Sequence, residues 1–174
     1  MAIEGVLIDV DGVLVTAWRT VPGAAEALRE LRRREIPFLL ATNATSHSRE
    51  GLSAKLRQTG LDVEPDRVVT APVLTASYLR SNHPRARCYL LGEPELGDEF
   101  ADIWLVREQA GVVVVAGADP AFTWENLSRA FRMLKEGAAL VAMHRNLSWM
   151  TDTTKQRAQA KLAACAKPPK QSIR

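Results

Sequence analysis

The sequence predicts an α/β chain with a largely parallel sheet, on three observations. Short apolar runs of strand length alternate with stretches whose apolar residues recur at helical spacing. The helical stretches carry starting and stopping residues near their ends. The first apolar run, in "EGVLIDVDGVLVT" (residues 4–16), breaks off into Asp9-Val10-Asp11-Gly12, which sets two carboxylates at the mouth of a strand. Crossover sheets of this class place their ligand sites at such strand ends.

Taken in order, residues 5–9 read as a buried strand and "VPGAAEALRELRRRE" (21–35) as a helix on the spacing of Ala24, Ala25, Leu28 and Leu31. Pro22 lies near its start, where a missing N–H is harmless. "IPFLLAT" (36–42) is a second strand, and 48–60 a helix stopped by Gly60. A short strand at 67–71, a helix at 73–82, a strand at 86–92 and a short helix near 94–101 follow. "GVVVVAG" (111–117) is the strongest strand signal. Residues 123–137 form a helix with a cap at Thr123 and a stop at Gly137; 138–144 is a last strand, and 151–166 is helix-like and polar. This alternation means crossover units.

Composition bounds the function. Hydrophobic residues make up 47% and charged residues 25% of the 174, which is a globular composition. No apolar run reaches the roughly 20 residues a membrane span needs. The chain opens directly into a strand with no signal-like segment, and Cys88 and Cys165 form neither a disulfide framework nor a metal cluster. The expected setting is a reduced cytoplasmic one. The net charge of +3 is uneven: residues 151–174 hold six basic residues against Asp152, leaving the rest of the chain at −2. That distribution argues against nucleic acid or membrane as a partner.

Right-handed crossover makes the strands ending at Asp9 and Thr42 neighbours. Asp9, Asp11, Thr42 and Asn43 then converge on one crevice. Paired carboxylates call for a cation or a shared proton, and a hard ion such as Mg²⁺ suits an oxygen-ligand site beside a phosphate. One carboxylate can attack phosphorus while the other moves a proton; a hydroxyl and an amide can hold the remaining oxygens. This is phosphoryl-transfer chemistry. A calcium loop does not fit, because the twelfth residue counted from Asp9 is Thr20 and not Glu. Residues 42–46 also suit a helix N-cap cluster. His47 is expected as an exposed loop residue, Trp124, Phe131 and Trp149 as packing residues, and His144-Arg145-Asn146 as either a surface turn or a substrate contact.

"DVDGVL" (9–14) and "LLATNATS" (39–46) resemble the first and second motifs of the haloacid dehalogenase superfamily of phosphatases. "LLGEPELGDEF" and "VVVVAGADPAFTWENLSRAFRMLKEGAALVAMHRN" are similar to cap segments of its large-cap (class IIA) branch, which holds 4-nitrophenylphosphatase-like enzymes. They look most like the group that includes the phospholysine phosphohistidine inorganic pyrophosphate phosphatases. The resemblance covers about residues 3–149. It implies a Rossmann-like core with an α/β cap and a Mg²⁺-dependent phosphatase of a small phosphorylated compound. It further implies Asp9 as nucleophile and metal ligand, and Asp11 as general acid/base with its carbonyl on the metal. Thr42 would hold the phosphoryl group with Asn43 beside it, and Gly12 would permit the turn.

Full members return from the cap into a second half of the core, which supplies a lysine and a Gly-Asp. No such Gly-Asp follows residue 149, and Lys167-Pro168 is preceded by Ala166 where the family has glycine. The expected organisation is therefore 1–71 as the N-terminal part of the core, 72–149 as the cap and 150–174 as a basic, replaced or truncated tail. Three readings follow: a phosphatase of reduced activity, an inert relative acting as an interaction or regulatory protein, and a truncated, marginally folded product with no independent role. A homodimer is compatible with the first two.

Overall fold

The computed structural model describes residues 3–117 and 120–145. In chain order its elements are β1 (Val6–Asp9), β2 (Val15–Thr16), β3 (Arg19–Thr20), α1 (Ala24–Arg33), β4 (Phe38–Thr42), α2 (Arg49–Gln58), β5 (Val68–Thr70) and α3 (Ala71–Asn82). These are followed by β6 (Cys88–Leu91), β7 (Val112–Val115), α4 (Trp124–Lys135) and β8 (Ala139–Ala142). Two parallel three-stranded sheets result, ordered β1-β4-β5 and β6-β7-β8, with β2 and β3 as a separate antiparallel hairpin. The predicted α/β class with parallel sheets is the observed one.

In the first sheet Asp9 pairs with Ala41 and Thr42 with Thr70, so the strands ending at Asp9 and Thr42 are neighbours as expected. The connections β1-α1-β4 and β4-α2-β5 both step across the sheet in one direction. Right-handed crossovers taken in one direction put their helices on one face. Phe38, Leu40 and Val68 accordingly pack with Leu28 of α1 and with Leu52 and Leu56 of α2 in one apolar cluster. Leu7 and Leu39, paired on the opposite face, are 68% and 41% exposed. This corrects the reading of residues 5–9 as a buried strand: β1 is an edge strand with alternating exposure, because nothing among the described residues covers its second face or its free side.

The second sheet is packed on both faces. Ala76 and Leu79 of α3 join Cys88, Phe100, Val112 and Val114 on one side. Ala130 and Met133 of α4 join Tyr89, Leu91 and Val113 on the other. Alternate residues of β6 and β7 serve alternate faces, as the two-residue strand period requires.

Helix starts follow side-chain capping. Ser48, Thr70 and Thr123 accept from the amides of Gly51, Val73 and Asn126. The cap of α2 is thus Ser48 and not the 42–46 cluster. α1 starts later than expected, with Gly23 (φ 88°) as its N-cap and Pro22 outside the helix. The short helix near 94–101 is a 3₁₀ segment, Pro94–Phe100. Trp124 and Phe131 are 86% and 62% exposed, so they do not serve as packing residues. The helix expected at 151–166, Trp149, Asn146 and Lys167-Pro168 lie outside the described residues.

Candidate active site

The chain leaves β1 at Asp9 and turns tightly. The amides of Leu14 and Val15 donate to the Val10 carbonyl at 3.0 and 3.1 Å, and the Gly12 amide donates to Val15 O at 2.7 Å. Gly12 has φ +88°, a left-handed conformation that favours glycine. Val10, Leu14 and Val15 are buried beneath this turn, which fixes it from below. Asp9 and Asp11 stay at the surface above.

Asp9 Oδ1 accepts from the Val10 amide at 2.9 Å. Thr42 Oγ1 donates to Asp11 Oδ2 at 3.4 Å and accepts from the Ala44 amide at 3.0 Å. The structure therefore brings Asp11 and Thr42 together across 31 residues of sequence. Partial burial and the Asp9 charge both raise the Asp11 carboxyl above the ordinary carboxylate range, while the Thr42 hydrogen bond partly offsets them. Asn43 is exposed and has no hydrogen-bond partner among the described residues. Thr45 is fully buried with its hydroxyl unpaired.

Among the described residues no three His, Cys, Asp or Glu side chains are grouped to share a metal ion. The pair Asp9 and Asp11 nevertheless fits a hard divalent cation. Both offer oxygen ligands, and the Asp9 charge makes ionisation of Asp11 unfavourable.

Sequence reasoning missed the β2-β3 hairpin and what grips it. Its two turn residues, Ala17 and Trp18, have φ 51° and 56°. Left-handed backbone costs about 1–2 kcal/mol for each residue that is not glycine. The Trp18 ring lies under Lys55 Nζ at 4.4 Å and edge-on to His47 at 5.9 Å. Lys55 Nζ is 2.9 Å from His47 Nε2, and His47 Nδ1 faces Glu95 Oε2 at 3.6 Å. An ammonium only donates, so Lys55 is the donor of this contact. The His47 side chain is 19% exposed, which corrects its reading as an exposed loop residue.

The segment Pro94–Phe100 presses its acids on the start of α2. Glu95 Oε1 accepts from the Ser48 amide and hydroxyl at 3.2 and 3.3 Å. The buried Glu99 accepts from the Arg49 amide at 2.7 Å and pairs with the Arg49 guanidinium at 3.1 Å. Carboxylates at a helix N-terminus meet unsatisfied amides and the favourable end of the dipole. No local signal in the sequence marks these contacts, which span about fifty residues.

Residues 6–104 match the haloacid dehalogenase-like hydrolase family. The acid sugar phosphatase of Staphylococcus epidermidis is 32% identical over 147 residues, covering 83% of this chain and 57% of that protein. The chain thus spans a little over half the length of this curated relative. Among solved structures, 4-nitrophenylphosphatase from Thermotoga maritima superposes with a TM-score of 0.79 at 28% identity, over 96% of this chain and 67% of that one. Glycerol phosphate phosphatase from Mycobacterium tuberculosis, solved in complex with magnesium, gives 0.78 at 25% identity, over 95% and 53%. The matched stretch contains the Asp9–Asp11 turn, Thr42 and the start of the second sheet, and on that match the chain belongs to the haloacid dehalogenase-like hydrolase family.

Proposed function

We propose that the chain carries the phosphoryl-transfer half-site of a phosphatase acting on a small phosphorylated sugar or polyol. The carrying observation is the meeting of Asp11 and Thr42 beside Asp9 at the carboxyl end of the β1–β4 pair. The similarity to an acid sugar phosphatase and to a glycerol phosphate phosphatase supports the substrate class. The division into a core portion (1–71) and a cap (72–149) belongs to the same reading and is supported by separate sheets with separate apolar clusters.

Asp9 attacks phosphorus with one carboxylate oxygen, and the phosphorus–oxygen bond to the alcohol breaks. Asp11, whose raised pKa favours the acid form, gives its proton to the departing alcohol oxygen. As a carboxylate it then takes a proton from a water that attacks the phosphorus of the Asp9 acyl phosphate, releasing phosphate and restoring Asp9. The Thr42 hydroxyl makes a long hydrogen bond to Asp11 and offers a donor to the phosphoryl oxygens. Mg²⁺ would be held by the Asp9 carboxylate and the Asp11 backbone carbonyl and would supply charge neutralisation for the incoming phosphate. The second reading, an inert relative, is favoured by one observation: only two acidic groups face the site among the described residues.

The test is hydrolysis of p-nitrophenyl phosphate with and without Mg²⁺, on this chain and on Asp9→Asn. The phosphatase reading expects Mg²⁺-dependent turnover that Asp9→Asn removes. Turnover at equal rates in both proteins contradicts Asp9 as nucleophile, and no turnover in either favours the inert reading.

A further inference from the structure

We infer that Trp18 is a positioning residue for Asp11, acting through the β2-β3 hairpin and held in place by Lys55 and His47. The inference rests on the reading of Asp11 as the proton carrier. Asp11 has weak direct restraint: its hydrogen bond from Thr42 is long, at 3.4 Å. Its backbone is set instead by the hairpin, because Asp11 bridges to Val15 and the Gly12 amide donates to Val15 O at 2.7 Å. Val15 in turn pairs with Thr20, and Thr16 with Arg19.

The hairpin does not hold itself in shape. Two-residue hairpin turns with positive φ at both positions favour Asn-Gly or Gly-Gly, and here the residues are Ala17 and Trp18. Two-stranded ribbons are also marginal alone. The turn persists because its tip is docked. The Trp18 ring takes the Lys55 ammonium on its face and the His47 ring against it. Lys55 is held on Nε2 of His47, and His47 faces Glu95. At the hairpin's base, Thr20 Oγ1 donates to the Thr59 carbonyl at the end of α2. α2 is thus the rail on which the hairpin rests, and the hairpin carries Asp11.

The experiment compares Trp18→Ala, Trp18→Phe and Lys55→Met with the parent chain by amide hydrogen exchange and by p-nitrophenyl phosphate kinetics. In Trp18→Ala the amides of Gly12 and Val15 exchange at least about tenfold faster, with Val113 and Val114 of the second sheet unchanged. kcat falls roughly 10–100-fold with KM little changed, the pattern of a displaced group that acts in the transition state. Trp18→Phe, which keeps an aromatic face under Lys55, restores most of both quantities, and Lys55→Met gives intermediate values. Unchanged exchange at Gly12 and Val15 in Trp18→Ala overturns the inference, as does faster exchange across both sheets, which marks a general structural role. Failure of the phosphatase reading is recognised separately, by equal or absent turnover in the parent and Asp9→Asn, and hydrogen exchange still decides whether Trp18 positions Asp11.

Discussion

At the scale of single residues, Asp11 is held where its charge is unfavourable. Burial and Asp9 raise its folded pKa above the unfolded value, so the ionised form penalises folding. The penalty is fully present above the raised folded pKa and is relieved as pH falls through it toward the ordinary carboxylate range. Asp11→Asn is therefore expected to raise the melting temperature at pH 7 without Mg²⁺, and to lose that advantage as the pH is lowered. Thermal unfolding across pH checks this, and an advantage that grows on acidification contradicts it. The same substitution lowers any turnover by roughly 10²–10⁴-fold through loss of the proton carrier. Asp9, Asp11, Thr42 and Gly12 were legible in the sequence because their spacing is local and their strand-end setting follows from topology. Trp18, Lys55, His47 and Glu95 were not, because their meeting depends on how a hairpin, a helix and a distant 3₁₀ segment pack together.

At the scale of elements, the start of α2 shows how a glycine serves a close approach. A Cβ on Gly51 would lie 1.9 Å from Glu95 Oε1. Glu95 is a flexible side chain and would withdraw, giving up its hydrogen bonds from Ser48. Gly51→Ala is predicted to destabilise by about 1–2 kcal/mol, the loss of such bonds to a charged group less the helix-propensity gain of alanine. In a Glu95→Ala background the same change becomes neutral or stabilises by up to about 1 kcal/mol, through the better helix propensity of alanine. Denaturant unfolding of the double-mutant cycle measures this, and equal effects in both backgrounds contradict the contact. Most elements were legible from apolar spacing and capping residues. The alternating exposure of β1 was not, since an apolar run of strand length reads the same whether its second face is covered or open, although the lack of a candidate neighbour in the sequence marked it as an unpaired edge. The exposure of Trp124 and Phe131 was hidden for the same reason, since α4 buries Ala130 and Met133 on its other face.

At the scale of the molecule, the described residues cover the first sheet on one face only, and this divides its residues energetically. Leu40 is 0% exposed and Leu7 68%. Leu40→Ala is expected to lose about 2–5 kcal/mol, and Leu7→Ala under about 0.5 kcal/mol. Equal losses in denaturant unfolding would mean that the open face is covered in solution. The side of β1 left unpaired among the described residues and the Leu7–Leu39 face also favour self-association. A Leu7→Lys, Leu39→Glu variant is expected to elute at a smaller apparent size than the parent in size-exclusion chromatography, and identical elution removes this face as the cause. In the proposed reaction the Asp9 carboxylate at the end of β1 attacks phosphorus. This step is tested most directly by quenching the chain with borohydride during Mg²⁺-dependent turnover of p-nitrophenyl phosphate, then sequencing the peptides by mass spectrometry. An acyl phosphate on Asp9 is reduced to homoserine, so homoserine at position 9 and nowhere else is the predicted result. Turnover that leaves Asp9 intact, or that marks a different carboxylate, contradicts the account.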